Sequence, residues 1–525
     1  MCISMCIVGA TRCFCKHGTS VREDPIFPRA SVYHEHPLKP TRRHTIMPTH
    51  YDLIIRNATV IDGRRTPRFT GDIGINGERI AAIGRLDADR GEREIDATGK
   101  VAAPGFIDSH THDDRYLRSH PEMTPKVSQG VTTVIAGNCG ISLAPLVAAN
   151  PPAPLNLIDD SSAYRFPFFA DFMADLDANP AATNAACMVG HTTLRVAAMD
   201  RLDRAATDSE AAHMAAMTEE AMQAGAIGFS TGTYYPPAAH ASTEEIIVAA
   251  RPLKEHGGRY VTHMRNEDDH IVAAMNEAFR IGREVGVPVI ISHHKVVGVR
   301  NYGRSEETLK LLTEARRGQE VCVDCYPYIA SSTMLRADRI PLSDRIIITW
   351  SKPHPEFTGI DLPEVARRMG LSQEDAVAQL LPAGAIYFSM HEADVQRILK
   401  FEDTMVGSDG IPHDIKPHPR LWGTFPRVLG HYSRDIGLFP LETAVYKMTG
   451  LTAAKFGLTD RGVLQAGAFA DITIFDAAEI NDSATFEQPT QPARGIDSVI
   501  VNGEPVWLSG LATAARPGRL LRNRA

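Results

Sequence analysis

"YVTHMRNEDDHIVAAMNEAFRIGREVGVPVIISHHK", residues 260–295, is the stretch whose reading decides the fold. Its first and last runs are short, apolar and rich in β-branched residues, which is how buried strands read. Between them Ile271, Ala274, Met275, Ala278, Ile281 and Val285 fall on one helical stripe. Gly286 stands where that helix would end before the next strand. Strands that are apolar throughout and joined by a helix imply a parallel sheet covered on both faces. Both runs also end in chemistry: His263 closes the first, and His293-His294-Lys295 closes the second.

Outward from this unit the same alternation recurs. Ahead of it lie "VAAPGFIDSHTH" (101–112), "VTTVIAGNC" (131–139), "AACMVGHTT" (185–193) and "AIGFSTG" (226–232). After it come "EVCVDCYPY" (320–328) and "TMVGSDG" (404–410). Eight such runs spread over about 300 residues predict a closed (β/α)8 barrel of the TIM type, an α/β fold. An open doubly wound sheet is the alternative, but no Gly-x-Gly-x-x-Gly follows the first run.

The barrel is assigned to residues 104–460. The runs "YDLIIRNATVIDG", "GDIGINGERIAAIG" and "REIDATGKVAAPG" before it, and "ADITIFD" and "DSVIVNGEPVW" after it, carry hairpin grammar. They predict a small β-domain built from both chain ends, residues 47–103 and 461–525. The 63 residues from Ile329 to His391, between the seventh and eighth runs, are too many for an ordinary connection and are expected to form a lid. "PEVARRMG" and "QEDAVAQLL" within them read as helices.

A charged fraction of 22%, a hydrophobic fraction of 43% and a net charge of −8 fit an ordinary globular chain. The negative balance argues against nucleic-acid and anionic-membrane partners. No run approaches 18 consecutive apolar residues, so no membrane span is expected. Cys139, Cys187, Cys322 and Cys325 are scattered through the body, which suits a reduced, cytoplasmic protein. Cys322 and Cys325 fall on opposite faces of one strand run, so their Cys-x-x-Cys spacing predicts no redox pair. Residues 1–46 differ from the rest: seven Lys/Arg stand against three Asp/Glu, with no hydrophobic period. They are expected to be a disordered extension, with Met47 a plausible start. Cys2, Cys6, Cys13, Cys15 and His34 to His36 within it could bind metal only opportunistically.

Polar residues gather at the C-terminal ends of the runs, where a barrel keeps its active site. Run one ends in His110-Thr111-His112, whose imidazoles can face the same way. Run two ends in Cys139, run five in His263, run six in His293 and run eight in Asp409. One histidine on a strand is usually a core residue, but five of eight strands ending in imidazole, thiolate or carboxylate is a pattern. Nitrogen, sulfur and carboxylate ligands together suit Zn2+ with an open position for water. Such a site supplies hydroxide near neutral pH, and Asp409 can take and return its proton. Metal-assisted hydrolysis is the expected chemistry.

"PGFIDSHTHDD" (104–114), "GNCGIS" (137–142), "THMRNE" (262–267), "ISHHK" (291–295), "GSDG" (407–410) and "PHPRLWGTFPRVLGHYSR" (417–434) resemble the N-acyl-D-amino-acid deacylases of the amidohydrolase superfamily. The resemblance runs from about Tyr51 to about residue 515. It implies one tight zinc held by Cys139, His263 and His293, and a second, weaker position using His110, His112, Cys139 and Asp409. Asp409 would be the catalytic acid/base. Arg420 would grip the substrate α-carboxylate, its guanidinium fork matching two oxygens, with Lys295, Tyr326 and Ser332 on the same group. Tyr235, in competition with Tyr234, would face the scissile carbonyl. His294 is expected to pack behind the site. His191 and Arg195 are placed either at the pocket or in structural roles, and Cys187 in the core.

The implied partner is a small-molecule N-acyl-D-amino acid, and a monomer is favoured. Cyclic amidases of the hydantoinase or dihydroorotase kind are the rival, but they carry a carboxylated lysine on strand four. "AIGFSTG" has none. A non-catalytic barrel is the second rival, and it predicts missing ligands, yet all six matched positions carry competent side chains.

Overall fold

The structure, a computed structural model, describes residues 49–158 and 162–523. The expectations for residues 1–46, including the early cysteines and the start at Met47, lie outside the described residues. Eight parallel strands surround one axis. They are β1 (Phe106–Asp108), β2 (Val131–Ala136), β3 (Asn184–Cys187 and Val189–Gly190), β4 (Gly228–Gly232), β5 (Arg259–His263), β6 (Val289–Ile291), β7 (Val321–Cys325) and β8 (Thr404–Val406). Every neighbouring pair is parallel, for example Val261↔Ile290 between β5 and β6. β3 is shared: its first part pairs with β2 and its second with β4. The ring closes beyond the ends of β1 and β8, where Thr111 bridges Gly410 and the Asp409 N–H donates to His110 O at 2.8 Å.

Ile107, Ile135, Ala186, Met188, Ile227, Val261, Ile290, Cys322 and Met405 fill the interior below the site. Cys322 faces this layer and Cys325 faces the surrounding helices, as alternation along β7 requires. Burial of these side chains on both faces explains why the strands are apolar throughout rather than alternating. The helix between β5 and β6, Ile271–Val285, buries the predicted stripe together with Phe279 and is closed by Gly286 in the left-handed conformation.

The run 101–112, read as a single strand, divides into two. Val101–Pro104 joins a separate sheet, pairing with Ile472–Phe475, and the chain then crosses into β1. A Cβ at Gly105 would lie 2.1 Å from the Thr132 side chain, so only glycine permits the crossing. That separate sheet has nine strands taken from both ends of the chain: residues 50–104 and 472–512. Asp471 fastens it to the barrel. Its carboxylate pairs with Arg461, accepts from Asn184 of β3 at 3.2 Å and accepts from the Asn502 N–H at 2.9 Å. Beyond it Leu520 bridges Ala185 in parallel, and Leu521 packs under the barrel's interior layer.

The segment between β7 and β8 is a small α+β body. Strands Ala330–Met334, Ala383–Phe388 and Arg345–Ser351 form an antiparallel sheet. The two predicted helices, Leu362–Met369 and Gln373–Leu380, pack on it around Ile348, Leu362, Val365, Val377 and Leu380. Among the described residues no helix is long and apolar enough to cross a membrane.

Candidate metal centre

Three of the predicted ligands stand in backbone conformations that L-residues avoid: Cys139 at φ 54°, His293 at φ 35° and Asp409 at φ 49°. Each is held there by buried hydrogen bonds. Asn138 Nδ2 donates to Ile135 O at 2.9 Å and pins the turn that presents Cys139. Asp324 Oδ1 accepts from the His293 N–H at 2.7 Å. Asp108 Oδ1 accepts from the Ser408 N–H at 2.7 Å, just ahead of Asp409. A strained turn at the top of a strand lets a side chain that would follow the barrel wall point across the mouth instead.

The result is two overlapping ligand sets: Cys139, His263 and His293, and His110, His112, Cys139 and Asp409. Within each, the candidate ligand atoms lie within 4.8 Å of one another. Cys139 Sγ is 3.3 Å from His110 Nε2 and 3.4 Å from His293 Nε2. Asp409 Oδ1 is 3.2 Å from His112 Nε2 and 3.5 Å from His110 Nε2. Both nitrogens of His263 are buried without a hydrogen-bond partner among the described residues, an expensive state for an imidazole with no cation to bind. The donor set fits a divalent metal of zinc's kind.

Burial opposes ionisation of the Cys139 thiol, yet the flanking His110 and His293 hold it well below the usual thiol range. The same juxtaposition works in reverse on the imidazoles. Burial disfavours charge on His112, but Asp409 and Cys139 raise it to about 9. Burial likewise opposes charge on Asp409, and Arg420, His293 and His112 keep it well below the carboxylate range.

The sequence left two acids unmarked. Glu267 Oε1 lies 3.1 Å from His293 Nδ1, and Asp324 Oδ1 lies 3.5 Å from His110 Nδ1, so each orients an imidazole from behind. Both sit inside quoted motifs, but a lone acid near a strand end carries no signal of the histidine it faces. Glu267 also engages Lys295, whose Nζ is 2.6 Å from Oε1 and 2.8 Å from His293 Nδ1. Lys295 therefore stands in an ion pair behind the metal ligands.

Arg420 is fully buried. Its Nη1 is 2.8 Å from Asp409 Oδ2, its Nη2 donates to Ser332 O at 3.2 Å, and its Nε has no partner among the described residues. The guanidinium lies 4.5 Å over the Tyr326 ring. Tyr326 OH and Ser332 Oγ are also buried and unpaired among the described residues. Tyr235 OH is 3.0 Å from Thr333 Oγ1, and its ring centroid is 4.9 Å from that of His263. Tyr234 stacks on His263 at 5.3 Å and its hydroxyl accepts from Arg339 Nε at 2.7 Å. His294 packs behind the site against Thr308, at 2.9 Å. His191 and Arg195 turn to Glu245 instead of the barrel mouth, which gives them the structural role.

Candidate metal ligands ring the C-terminal mouth of a (β/α)8 barrel, and the Amidohydrolase family model matches residues 93–317 and 373–507. The D-aminoacylase of Alcaligenes xylosoxydans xylosoxydans is 62% identical over 475 residues, 90% of this chain and 98% of that one. The N-acyl-D-aspartate deacylase of the same organism is 54% identical over 475 residues, 90% of this chain and 95% of the relative. The chain belongs to the D-aminoacylase family of N-acyl-D-amino-acid deacylases.

Solved structures agree. One of D-aminoacylase, concerned with a binuclear metal centre that one metal activates and a second attenuates, superposes with a TM-score of 0.89 at 60% identity. It covers 90% of this chain and all of that one. The N-acyl-D-glutamate deacylase of Bordetella bronchiseptica, solved with zinc and a phosphonate inhibitor, gives 0.88 at 45% identity over the same shares. The L-hydantoinase of Arthrobacter aurescens, at 16% identity and a TM-score of 0.57, covering 90% of this chain and all of that one, shares the fold alone. A Cβ at Gly232, the last residue of β4, would lie 2.1 Å from Cys139 O.

Proposed function

We propose that this chain hydrolyses N-acyl-D-amino acids to a carboxylate and the free D-amino acid, using zinc held by Cys139, His263 and His293. The observation that carries the reading is a thiolate-containing ligand set beside a buried, partly unsatisfied Arg420, Tyr326 and Ser332. Zinc in such a set supplies a low-pKa water and polarises a carbonyl. His110, His112, Cys139 and Asp409 offer a second metal position, weaker because its carboxylate is already paired with Arg420.

The chain's own groups do the rest. Arg420 Nε and Nη1 receive the α-carboxylate, with Tyr326 OH and Ser332 Oγ donating to the same oxygens. Lys295 reaches that carboxylate only by leaving Glu267, so its first contribution is charge. Tyr235 OH, shared with Thr333, is the donor beside the scissile carbonyl. Asp409 accepts the proton of the attacking water and returns it to the departing amine nitrogen. As the substrate carboxylate draws Arg420 away, Asp409 loses its strongest counter-charge and becomes a better base. Fixing the carboxylate at Arg420 and the carbonyl at the metal leaves room for the side chain of one hand only. The segment 329–391 supplies Ser332 and Thr333 to the site and serves as its lid.

The four buried, unlinked cysteines of the described residues support a reducing, cytoplasmic setting, and a site drawn from one chain supports a working monomer. The test is a panel of N-acetyl-D- and N-acetyl-L-amino acids and cyclic amides with the zinc-loaded protein. Cleavage confined to linear D-substrates is expected, and preference for L-isomers or cyclic amides would overturn the reading.

A further inference from the structure

A guanidinium on a long side chain is only as well placed as the backbone that carries it. Arg420 is the first residue of the helix Arg420–Arg427. The first N–H groups of a helix have no partner within it, and a buried one left unpaired is costly. Pro419, just ahead, has no side-chain acceptor to offer. The acceptor comes from His418, whose Nδ1 takes the Arg420 N–H at 2.9 Å. The other ring nitrogen, Nε2, donates to Ala330 O at 3.0 Å. These partners leave the ring one arrangement: the proton on Nε2, with Nδ1 bare. Burial and the neighbouring Arg420 charge hold His418 well below the usual imidazole range, which keeps that neutral form.

We propose that His418 is a positioning residue for the carboxylate-binding guanidinium, fastening the backbone of Arg420 to the strand whose edge already holds the Arg420 side chain. The inference rests on the deacylase reading above and deepens it. Strand Ala330–Met334 lies at the end of its sheet and pairs there only with Ala383–Phe388, so its other edge is free. Carbonyls two residues apart on a strand point to the same edge. Ala330 O takes His418 Nε2, and Ser332 O takes Arg420 Nη2 at 3.2 Å. Arg420 is thereby held at both ends on one strand, its main chain through the imidazole and its fork directly. Anchored on Ser332 and paired with Asp409, the fork leaves Nε without a partner among the described residues and open to a carboxylate. The imidazole cannot tilt away. It is buried, and the rings of Tyr328 and Phe486 meet it edge-on with centroids 5.1 and 5.0 Å distant.

The experiment is steady-state kinetics of the zinc-loaded protein on N-acetyl-D-alanine, -leucine and -phenylalanine, with zinc affinity measured alongside by chelator competition. His418→Asn keeps an acceptor for the Arg420 N–H, as Asx turns do, and loses the Ala330 bond. His418→Gln keeps a donor for Ala330 O and loses the acceptor. Each is expected to raise KM about 3- to 10-fold, the net worth of one hydrogen bond, with kcat held within about 3-fold. His418→Leu loses both bonds and should raise KM at least about 10-fold. The factor should be the same for all three substrates, because the carboxylate is common to them, and zinc affinity should not change. An unaltered KM in His418→Leu overturns the role. So does a factor that varies with the substrate side chain, or a matching loss of zinc affinity, since either marks a deformed site rather than a displaced Arg420. Should His418→Leu not fold, unaltered KM in both His418→Asn and His418→Gln overturns the role instead. Absence of cleavage by the unsubstituted protein overturns the deacylase reading, and the role with it.

Discussion

Cys139 belongs to both ligand sets, so its loss has a different consequence from the loss of any histidine. On the proposed assignment, Cys139→Ala is expected to abolish tight zinc binding, measured as metal per chain after dialysis, whereas His112→Ala should leave one equivalent in place. A full zinc equivalent retained by Cys139→Ala would remove the thiolate from the site. Lys126 shows how much lies beneath the ligands: fully buried, its Nζ is 2.8 Å from Asp108, 3.2 Å from Asp113 and 2.9 Å from Ser408 Oγ. Lys126→Met strands two buried carboxylates and is expected to cost about 3–5 kcal/mol in urea unfolding. Glu245 carries the pH dependence. Burial opposes its ionisation, but His191 and Arg195 depress its carboxyl from 4.5 to about 2. A depressed acid stabilises the fold above its unfolded value, and this contribution is lost as pH falls from about 4.5 towards 2. The stability gap between the protein and Glu245→Gln should therefore narrow over that window; a constant gap would contradict the pairing. At this scale the clustering of the candidate ligands was legible, because imidazole, thiolate and carboxylate gathered at strand ends suit a metal far better than they suit a core. Glu267 and Asp324 were not, because their partners lie 26 and 214 residues away in the chain, counting Glu267 to His293 and Asp324 to His110.

Elements position these residues, and two departures from the sequence reading have local causes. The helices of the 329–391 segment stood out by period, but its strand Ala330–Met334 reads "ASSTM", with no apolar alternation to reveal it. Ser332 and Thr333 lie beside His112 and Asp409, and these polar residues blur the strand signal. The division of run 101–112 was hidden for the opposite reason: both halves are buried, so apolar residues continue across the crossing at Gly105. Gly232 marks where β4 touches the thiolate turn. Gly232→Ala would press a methyl against Cys139 O and is expected to destabilise the fold by about 2–3 kcal/mol. It should also weaken zinc binding, read by competition with a chelator. An unchanged metal affinity would show that the turn moves independently of β4.

Over the whole molecule, the barrel's upper end carries the chemistry and its lower end carries closure. Removing residues 517–525 takes away the Ala185–Leu520 bridge and the cover that Leu521 gives the interior layer. About 3 kcal/mol of stability should be lost, from two part-buried leucines and their backbone bonds. Thermal unfolding with zinc kept in excess checks this, and an unchanged midpoint would make the segment an ornament.

The nine-stranded sheet has a consequence for how the protein is made. Val101 pairs with Thr59 on one side and with Phe475 on the other, so its second flank must wait through synthesis of the entire barrel. Until residues 472–512 appear, the strand at 101–104 keeps an open, apolar flank. Folding is therefore completed only late in translation, and a nascent chain paused within the barrel is the species most in need of a chaperone.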